Sequence, residues 1–195
     1  MLTITHINDE WTFQESDYSL LEDDLFEKAL DFYQNGNYEK SEIILKSLIE
    51  KYPYHIDAFY HLSLLFDETS RELEAYLSCR EAARIGLEII PSNFDWKKSK
   101  LEWGFFENRP FLRAYHSLGL WELRRNRIDH ALEIFINILS ISPNDNLGIR
   151  YIIPKLWLEK GDVLSVIRHC KKFEDDLSPE ILYTHALALI LSSVP

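Results

Sequence analysis

Two arginines, Arg113 and Arg150, carry the side chains in this sequence that are best suited to bind a charged ligand. Each lies near the start of a segment with helical periodicity, and 37 positions separate them. A guanidinium group presents its N–H donors as a planar fork, which can donate two hydrogen bonds to one carboxylate. We therefore predict that the two arginines share a carboxylate, either from a partner or from Glu107. The alternative is an internal network of ion pairs that fixes residues 92–109 to the rest of the fold.

Catalytic and metal-binding patterns are absent from the sequence. It contains no glycine-rich phosphate loop, no pair of histidines on a helix with a glutamate, and no serine or cysteine elbow. The seven histidines are scattered along the chain, and Cys79 and Cys170 each fall among apolar residues of a predicted helix. We therefore predict a protein that is not an enzyme and that holds neither a metal nor another cofactor.

The charge of the chain is unevenly distributed. The formal net charge is −11, and residues 1–98 carry 20 acidic and 9 basic side chains, whereas the remaining residues carry 12 of each. Residues 109–127 include five arginines and a single acidic residue, Glu122. Nucleic-acid binding requires an extended basic surface, so this acidic chain favours proteins over nucleic acids as partners.

The sequence gives no sign of export or membrane insertion. It reaches Asp9 and Glu10 without a basic region or a long apolar run. The apolar run at 186–191 is far shorter than the ~20 residues that span a bilayer. Two cysteines without a disulfide pattern fit a reducing compartment. We predict a cytoplasmic protein without a membrane span.

The elements that position these side chains are indicated by one well-formed sequence pattern. Apolar, small and large residues recur at fixed spacing before a proline, at Tyr115, Leu118, Gly119, Ala131, Phe135 and Pro143. The spacing resembles that of the tetratricopeptide repeat family, in which a unit of ~34 residues forms two antiparallel helices. Weaker copies surround it: Leu25, Ala29, Ser41, Leu45 and Pro53 fit a first pair.

The resemblance implies an all-α fold, a right-handed α-solenoid of about four helix pairs plus a C-terminal helix. We predict that residues 22–195 form this single domain, that 1–21 form an acidic N-terminal segment, and that 92–109 are an aromatic-rich insertion. In the second pair, counting back from Pro91 places Ala83 and Cys79 at the packing positions. The preceding helix then lies four residues too far upstream, so a long turn is expected over residues 67–73.

The family resemblance also predicts a binding surface, because the first helix of each pair lines the inner groove. The positions that it selects as ligand-binding are Phe26, Tyr33, Tyr60, Arg113, His116, Arg150 and Trp157. Such a groove suits an extended or helical peptide, and its arginines favour an acidic one that carries carboxylates. The alternatives are that the aromatic residues belong to the core and that the arginines form internal ion pairs. Phe26 and Leu30 replace the Lys and Asn of co-chaperone clamps, so that function is excluded.

Two stretches, residues 103–114 and 143–150, resemble a signature of uncharacterised, largely bacterial tetratricopeptide proteins, with sequences ENRPFLRA and PNDNLGIR. This likeness implies no known activity. We predict that Asn108 caps the helix that Pro110 begins, and that Asp145 or Asn146 caps the next.

Two irregular segments flank or interrupt the predicted array. Residues 92–111 include six aromatic residues, so we expect Trp96 and Trp103 to pack against the second and third pairs; a lid over a partner is the alternative. The N-terminal segment mixes acidic residues with Trp11, Phe13 and Tyr18. It is expected to be a partly ordered tail, or else to occupy the groove opposite the arginines.

The C-terminal helix is expected to begin at Ser178 as cap and Pro179 as first helical residue. It is apolar on nearly all sides over residues 180–191, so we predict that a second copy covers it in a homodimer. Pro154 lies inside a predicted helix and is expected to kink or break it.

Taken together, these patterns favour a non-catalytic adaptor or scaffold that binds a partner polypeptide in its concave groove. Two alternatives remain: a dedicated chaperone for one client protein, and a structural subunit of a larger assembly.

Overall fold

The computed structural model describes residues 1–7, 10–15 and 20–193 of the chain. Within these residues a two-stranded antiparallel hairpin precedes nine α-helices. The strands are β1 (Leu2–Ile7) and β2 (Glu10–Glu15). The helices are α1 (Leu20–Gln34), α2 (Tyr38–Lys51), α3 (Ile56–Glu68), α4 (Glu72–Ile89), α5 (Arg109–Arg124), α6 (Ile128–Ile141), α7 (Ile149–Glu159), α8 (Val163–Lys172) and α9 (Pro179–Ser192). A short 3-10 helix, Phe106–Asn108, directly precedes α5.

The helices form the predicted right-handed α-solenoid. Four consecutive pairs, α1 with α2 through α7 with α8, pack within themselves and against the next pair, and α9 packs on α7 and α8. The helices bury their apolar residues against their neighbours, so one core runs from the first pair to α7, and a second, smaller cluster lies between α8 and α9. The all-α solenoid prediction is therefore confirmed for the helical part of the chain.

The turns within the four pairs share one backbone geometry, which defines the repeat register. Each has a residue with positive φ two positions after its first helix ends: Gly36, Ser70, Asn126 and Gly161. The amide that follows donates to the carbonyl five residues earlier, which is the long bond of a Schellman motif. These turn residues are 34, 56 and 35 positions apart, so the period is regular except for 22 extra residues before the third pair.

This register aligns one small or compact residue in every first helix. The position lies seven residues before the turn, at Ala29, Ser63, Gly119 and Pro154, and Ala188 of α9 follows Pro154 by 34 positions. A Cβ added to Gly119 would lie 2.6 Å from the ring of Phe135, which is fully buried. The predicted small-and-large packing is therefore confirmed in the third pair, and α9 occupies the place of the first helix in a fifth pair.

The second pair corrects one prediction. Its turn between α3 and α4 is short, and α4 has 18 residues whereas α2 and α6 have 14 each. The four extra residues lie at the end of α4, before Pro91. Counting back from Pro91 to find the packing positions is therefore wrong by four residues. Ala75 and Cys79, both fully buried, therefore take the packing positions that had been assigned to Cys79 and Ala83. The expected long turn over residues 67–73 is wrong.

Helix α7 continues through Pro154 without the expected break. A proline has no amide hydrogen, so the carbonyl of Arg150, four residues earlier, lacks its usual helical donor. The Nε2 atom of His169 in α8 lies 2.9 Å from that carbonyl oxygen. A carbonyl can only accept, so Nε2 carries the proton. The neighbouring helix thus satisfies the group that the proline leaves free.

The N-terminal segment is ordered over the residues that the structure describes, so the expected partly ordered tail is wrong there. Leu2, Trp11 and Phe13 are buried in the main core, and the Trp11 and Phe94 rings meet edge to face at 5.5 Å. Alternation of apolar residues along each strand allows one face of the hairpin to cover the solenoid. Six residues of the predicted acidic segment, 8, 9 and 16–19, among them Asp9, Asp17 and Tyr18, lie outside the described residues.

The insertion before α5 lies against the third pair, as expected. The Trp96 ring lies 5.9 Å from that of Tyr115, and the amide of Leu101 donates to the carbonyl of Ile141 at the end of α6. The insertion also joins the hairpin, because the Trp11 amide donates to the Lys100 carbonyl at 2.8 Å. It therefore packs along the edge where α6 ends and α5 begins.

Asn108 does not cap α5 as predicted, because its side chain is fully buried and serves the hairpin instead. Its Oδ1 atom accepts from the Phe13 amide at 3.0 Å, and its Nδ2 atom donates to the carbonyls of Trp11 and Glu102 at 3.0 and 3.1 Å. We call this arrangement the Asn108 clasp. It binds β2 to the start of the third pair.

The other two predicted caps differ in outcome. Asp145 accepts from the amides of Ile149 and Arg150 at 2.7 and 2.9 Å, so its predicted role at the start of α7 is confirmed. Ser178 stands at the N-cap of α9, but its side chain makes no capping hydrogen bond there.

Candidate functional site

Three of the predicted groove residues, Phe26, Tyr60 and Arg113, come together on the first helices of three pairs. The His61 ring lies between the first two, with ring centroids at 5.3 Å from Phe26 and 5.1 Å from Tyr60. The Arg113 guanidinium lies 5.8 Å from the Tyr60 ring centroid. All three predicted residues are half-buried, so each presents part of its surface to solvent.

Arg113 already has a carboxylate partner within the chain, which is Asp57. Its Nη2 atom donates to both carboxylate oxygens, at 2.8 and 2.7 Å. A second pair, Arg124 with Asp67, joins the same two helices at 2.8 Å. First helices of successive pairs run parallel, so acidic residues 10 apart on α3 meet arginines 11 apart on α5. Arg113 therefore forms an internal ion pair, which was the alternative to a ligand-binding role.

The remaining arginines of this basic stretch are also engaged. Arg127 and His130 lie 3.3 Å from the buried carboxylate of Glu122, and Tyr76 donates to it at 3.1 Å. Burial acts to raise the pKa of Glu122. Hydrogen bonds from His130, Tyr76 and Arg127 outweigh that effect and hold the pKa below its usual value. Three arginines of the stretch, Arg113, Arg124 and Arg127, thus have carboxylate partners, whereas Arg109 and Arg125 lie over the rings of Phe106 and Tyr76.

Arg150 and Trp157 lie apart from this group, and the predicted shared carboxylate is wrong. Arg150 forms an ion pair at 2.9 Å with Asp176. In the register defined by the turns, Arg150 aligns with the buried Tyr115 and not with a groove position, so the predicted groove register is one residue out in α7. The Trp157 ring accordingly faces His169 of α8 at 5.4 Å, inside the fourth pair.

His116 and Tyr33 occupy two further half-buried positions along the first helices. The His116 ring packs against Phe135 at 5.7 Å, and burial lowers its pKa to about 4. The Tyr33 ring packs against Tyr38 at 5.6 Å, and burial raises the pKa of Tyr33. Between α3 and α5, Leu120 is exposed on the concave side and lines a shallow hollow with Leu64.

The depressed pKa of His116 predicts a loss of stability in acid. Its pKa is about 4 in the folded chain and about 6.5 in the unfolded chain, so the unfolded state binds more protons between those values. Stability should therefore fall as the pH drops from 6.5 to 4, and His116 should contribute about 2 to 3 kcal/mol of that fall. We expect His116→Leu to flatten the profile by this amount, measured by urea unfolding.

Values at pH 8, where the imidazole is neutral in both states, isolate the packing effect of the substitution. His55 has a pKa lowered to about 4 by burial and acts in the same direction, so the variant keeps part of the acid sensitivity. Parallel profiles for wild type and variant between pH 8 and 4.5 would contradict the assignment.

A cavity that sequence reasoning missed lies between the hairpin and the first helices. Its volume is about 260 Å³. The residues that line it are Leu2, Phe13, Gln14, Glu15, Asp23, Phe26, Tyr54, His55, Ile56, Asp57, Glu107 and Pro110. Glu107, which was predicted to meet Arg113 and Arg150, therefore lines this cavity. The cavity could not be foreseen, because the hairpin that forms one side was not recognised.

Two classes of feature are not found in the part of the chain that the structure describes. No group of three or more histidine, cysteine or acidic side chains is placed to hold a metal ion. None of the described helices combines the length and apolar character needed to cross a membrane.

Comparison with known families gives one match over most of the chain. Residues 28–193 match the profile of a family, Tcf25, described as transcriptional repressor TCF25. No curated protein sequence matches the chain significantly.

Comparison with solved structures gives several similar folds, all at low sequence identity. A tetratricopeptide repeat protein from Parabacteroides merdae aligns with a TM-score of 0.65 and 16% identity, covering 89% of this chain and 61% of that one. YrrB, a tetratricopeptide protein with an unusual peptide-binding site, gives 0.63 and 11%, covering 86% and 76%. A chain of Naa15/Naa10 bound to HypK gives 0.57 and 17%, covering 88% of this chain and only 23% of that chain. These likenesses show a tetratricopeptide-like fold.

Proposed function

The chain belongs to the Tcf25 family, and from this membership and its fold we propose that it is a non-catalytic scaffold that binds a partner polypeptide. The proposed site is the concave wall formed by α1, α3 and α5. The residues proposed to contact the partner are Phe26, Tyr33, Tyr60, Arg113 and His116, with Leu120 between them.

One observation carries this proposal: half-buried rings and an exposed leucine continue along the first helices of three successive pairs. Aromatic side chains held partly in place by packing lose little conformational freedom on binding, and such residues dominate the affinity of protein interfaces. The solenoid sets them one repeat apart, which suits an extended or helical segment rather than a small molecule.

The charge of the wall revises the expected partner. Arg113 is held by Asp57 and Arg150 by Asp176, so neither offers an unused positive charge. We therefore do not require an acidic partner. Arg150 and Trp157 are left out of the proposed site because Arg150 pairs with Asp176, after α8, and the Trp157 ring packs on His169 inside the fourth pair.

The description of the family supports a regulatory setting for this scaffold. We propose that the chain contributes protein contacts to repression rather than contacts with DNA, because its net charge is −11 and three of the five arginines between residues 109 and 127 have carboxylate partners. YrrB with its peptide-binding site and Naa15/Naa10 with bound HypK are tetratricopeptide-fold examples of such protein contacts. A cytoplasmic location stays a prediction.

The test uses two exposed leucines that differ in the side of the solenoid that they occupy. Leu120 of α5 lies on the concave wall, whereas Leu164 lies on the second helix of the fourth pair and is 70% exposed. We expect Leu120→Asp to reduce partner recovery from a native lysate at least tenfold, measured by quantitative mass spectrometry. Leu164→Asp should leave it unchanged. Equal recovery with both variants would overturn the proposed site.

A second copy of the chain is proposed to cover α9, which would favour the structural-assembly alternative. Helix α9 packs on α7 and α8, but the described residues include no second helix that would complete a fifth pair with it. Leu187 and Leu191 are accordingly 47% and 46% exposed. The corresponding residue in α5, Leu118, is buried by α6. Light scattering at tens of micromolar should give a dimer for wild type and a monomer for Leu187→Glu. A monomeric wild type would reject this proposal.

A further inference from the structure

The cavity beneath the hairpin has the chemistry of a receptor for one basic side chain. We propose that it binds an arginine or lysine side chain of the partner polypeptide, and this proposal rests on the scaffold function proposed above. The cavity lies beside Asp57 and Phe26, which also belong to the concave wall, so a partner on the wall can reach it.

The size of the cavity favours a single side chain. Pockets for drug-sized ligands generally measure about 300–1,000 Å³. The volume here is about 260 Å³, which is enough for one long side chain and too small for a folded segment. The hairpin and the start of α5 form opposite walls, and the Asn108 clasp holds them together.

The walls match the two parts of such a side chain. Leu2, Phe13, Phe26 and Pro110 provide an apolar lining for a methylene stem. Carboxylates are supplied by four separate segments, at Glu15, Asp23, Asp57 and Glu107.

The cavity has an excess of negative charge. Of its four carboxylates, Asp57 is engaged by Arg113. The Met1 amino group is close enough to lower the pKa of Glu15. Among the described residues, two positive groups thus stand against four acidic side chains, three of them besides Glu15, and a cation with a hydrogen-bonding head would reduce this imbalance. An acidic or neutral side chain would not.

The ionisation of Glu15 provides an independent readout. Burial raises its pKa to about 7, the Met1 amino group lowers it, and Asp57 and Asp23 raise it. Glu107 also faces the cavity, as does His55, whose pKa is lowered to about 4 by burial and which is therefore neutral near pH 7. A bound cation favours the carboxylate form of Glu15. Binding should therefore strengthen as the pH rises through 7.

The test titrates the full ¹⁵N-labelled chain with Nα-acetyl-arginine N-methylamide and with the lysine equivalent. The matched control is the citrulline compound, which has nearly the shape of arginine without its charge. We expect saturable shifts at the amides of Phe13, Glu15 and Asp57, with at least tenfold weaker binding of citrulline. Affinity for the cation should be several-fold higher at pH 8 than at pH 6, and Glu15→Gln should remove most of this difference.

Glu107, which lines the cavity, provides a test variant, and the exposed Glu174 provides its matched control. Glu107→Gln should weaken binding of the cation several-fold, whereas Glu174→Gln, outside the cavity, should not. Equal binding of citrulline and arginine, or no saturable shift with either cation, would overturn the proposal. If Leu120→Asp loses lysate partners while the cavity binds no cation, the scaffold stands and the cavity proposal fails. If the cavity binds the cation but Leu120→Asp keeps all partners, the concave site fails instead.

Discussion

Replacing Asn108 with alanine should lower the free energy of unfolding by about 3 kcal/mol. The side chain is fully buried and makes three hydrogen bonds, so the substitution leaves the Phe13 amide and the carbonyls of Trp11 and Glu102 without this partner. Leaving a buried polar group unsatisfied costs ~1–3 kcal/mol. Urea unfolding followed by circular dichroism measures the loss.

Asn144→Ala is the matched control, because Asn144 is exposed and makes one long side-chain contact of 3.4 Å with Glu102. Its effect should stay within about 0.5 kcal/mol. The Asn108 variant should also expose the hairpin, so limited proteolysis within residues 1–15 should accelerate. Equal stability of the two variants would show that the clasp does not hold the hairpin.

Gly86→Val should also be strongly destabilising, by about 3 kcal/mol. Gly86 lies in α4, and a Cβ there would stand 2.1 Å from the Phe111 ring, which is fully buried and cannot withdraw. A glycine in a helix usually costs stability relative to alanine, by about 1 kcal/mol. Here the close approach of α4 to Phe111 outweighs that term, so even Gly86→Ala should destabilise the fold.

Gly104→Val serves as the control, since a Cβ at Gly104 would meet no atom within 4 Å. Thermal unfolding should place it close to wild type. Phe111→Leu removes the ring that the new side chain strikes, so the double variant should lose less stability than the two single losses together. Strict additivity would indicate that Gly86 and Phe111 do not interact in this way.

The solenoid could be predicted because its signal is local in the sequence. Small residues such as Gly119 and Ala131 recur at helical spacing, and each packing contact joins residues within one or two repeats. The hairpin could not be predicted in the same way. Its strand β2 is acidic in composition and is held by Lys100 and Asn108, whose positions depend on the complete third pair. Composition alone therefore suggested a tail.

The site was predictable to a similar extent. The aromatic positions Phe26 and Tyr60 follow from the repeat register, and both are half-buried and contact the His61 ring. The partner of Arg113 does not follow from it, because Asp57 lies 56 positions away and meets it only when α3 and α5 run side by side. The turn residue of the fourth pair, Gly161, follows that of the third pair, Asn126, by 35 positions, so counting by a period of 34 residues misplaces Arg150 and Trp157.

The Asn108 clasp has a consequence for how the protein is made. Phe13 emerges from the ribosome 95 residues before its partner Asn108 does. At about 5–20 residues per second, strand β2 waits roughly 5 to 20 s with Trp11 and Phe13 uncovered. A translational pause before codon 108 would lengthen that interval, so the nascent chain should depend on chaperones most while its first two helix pairs are emerging.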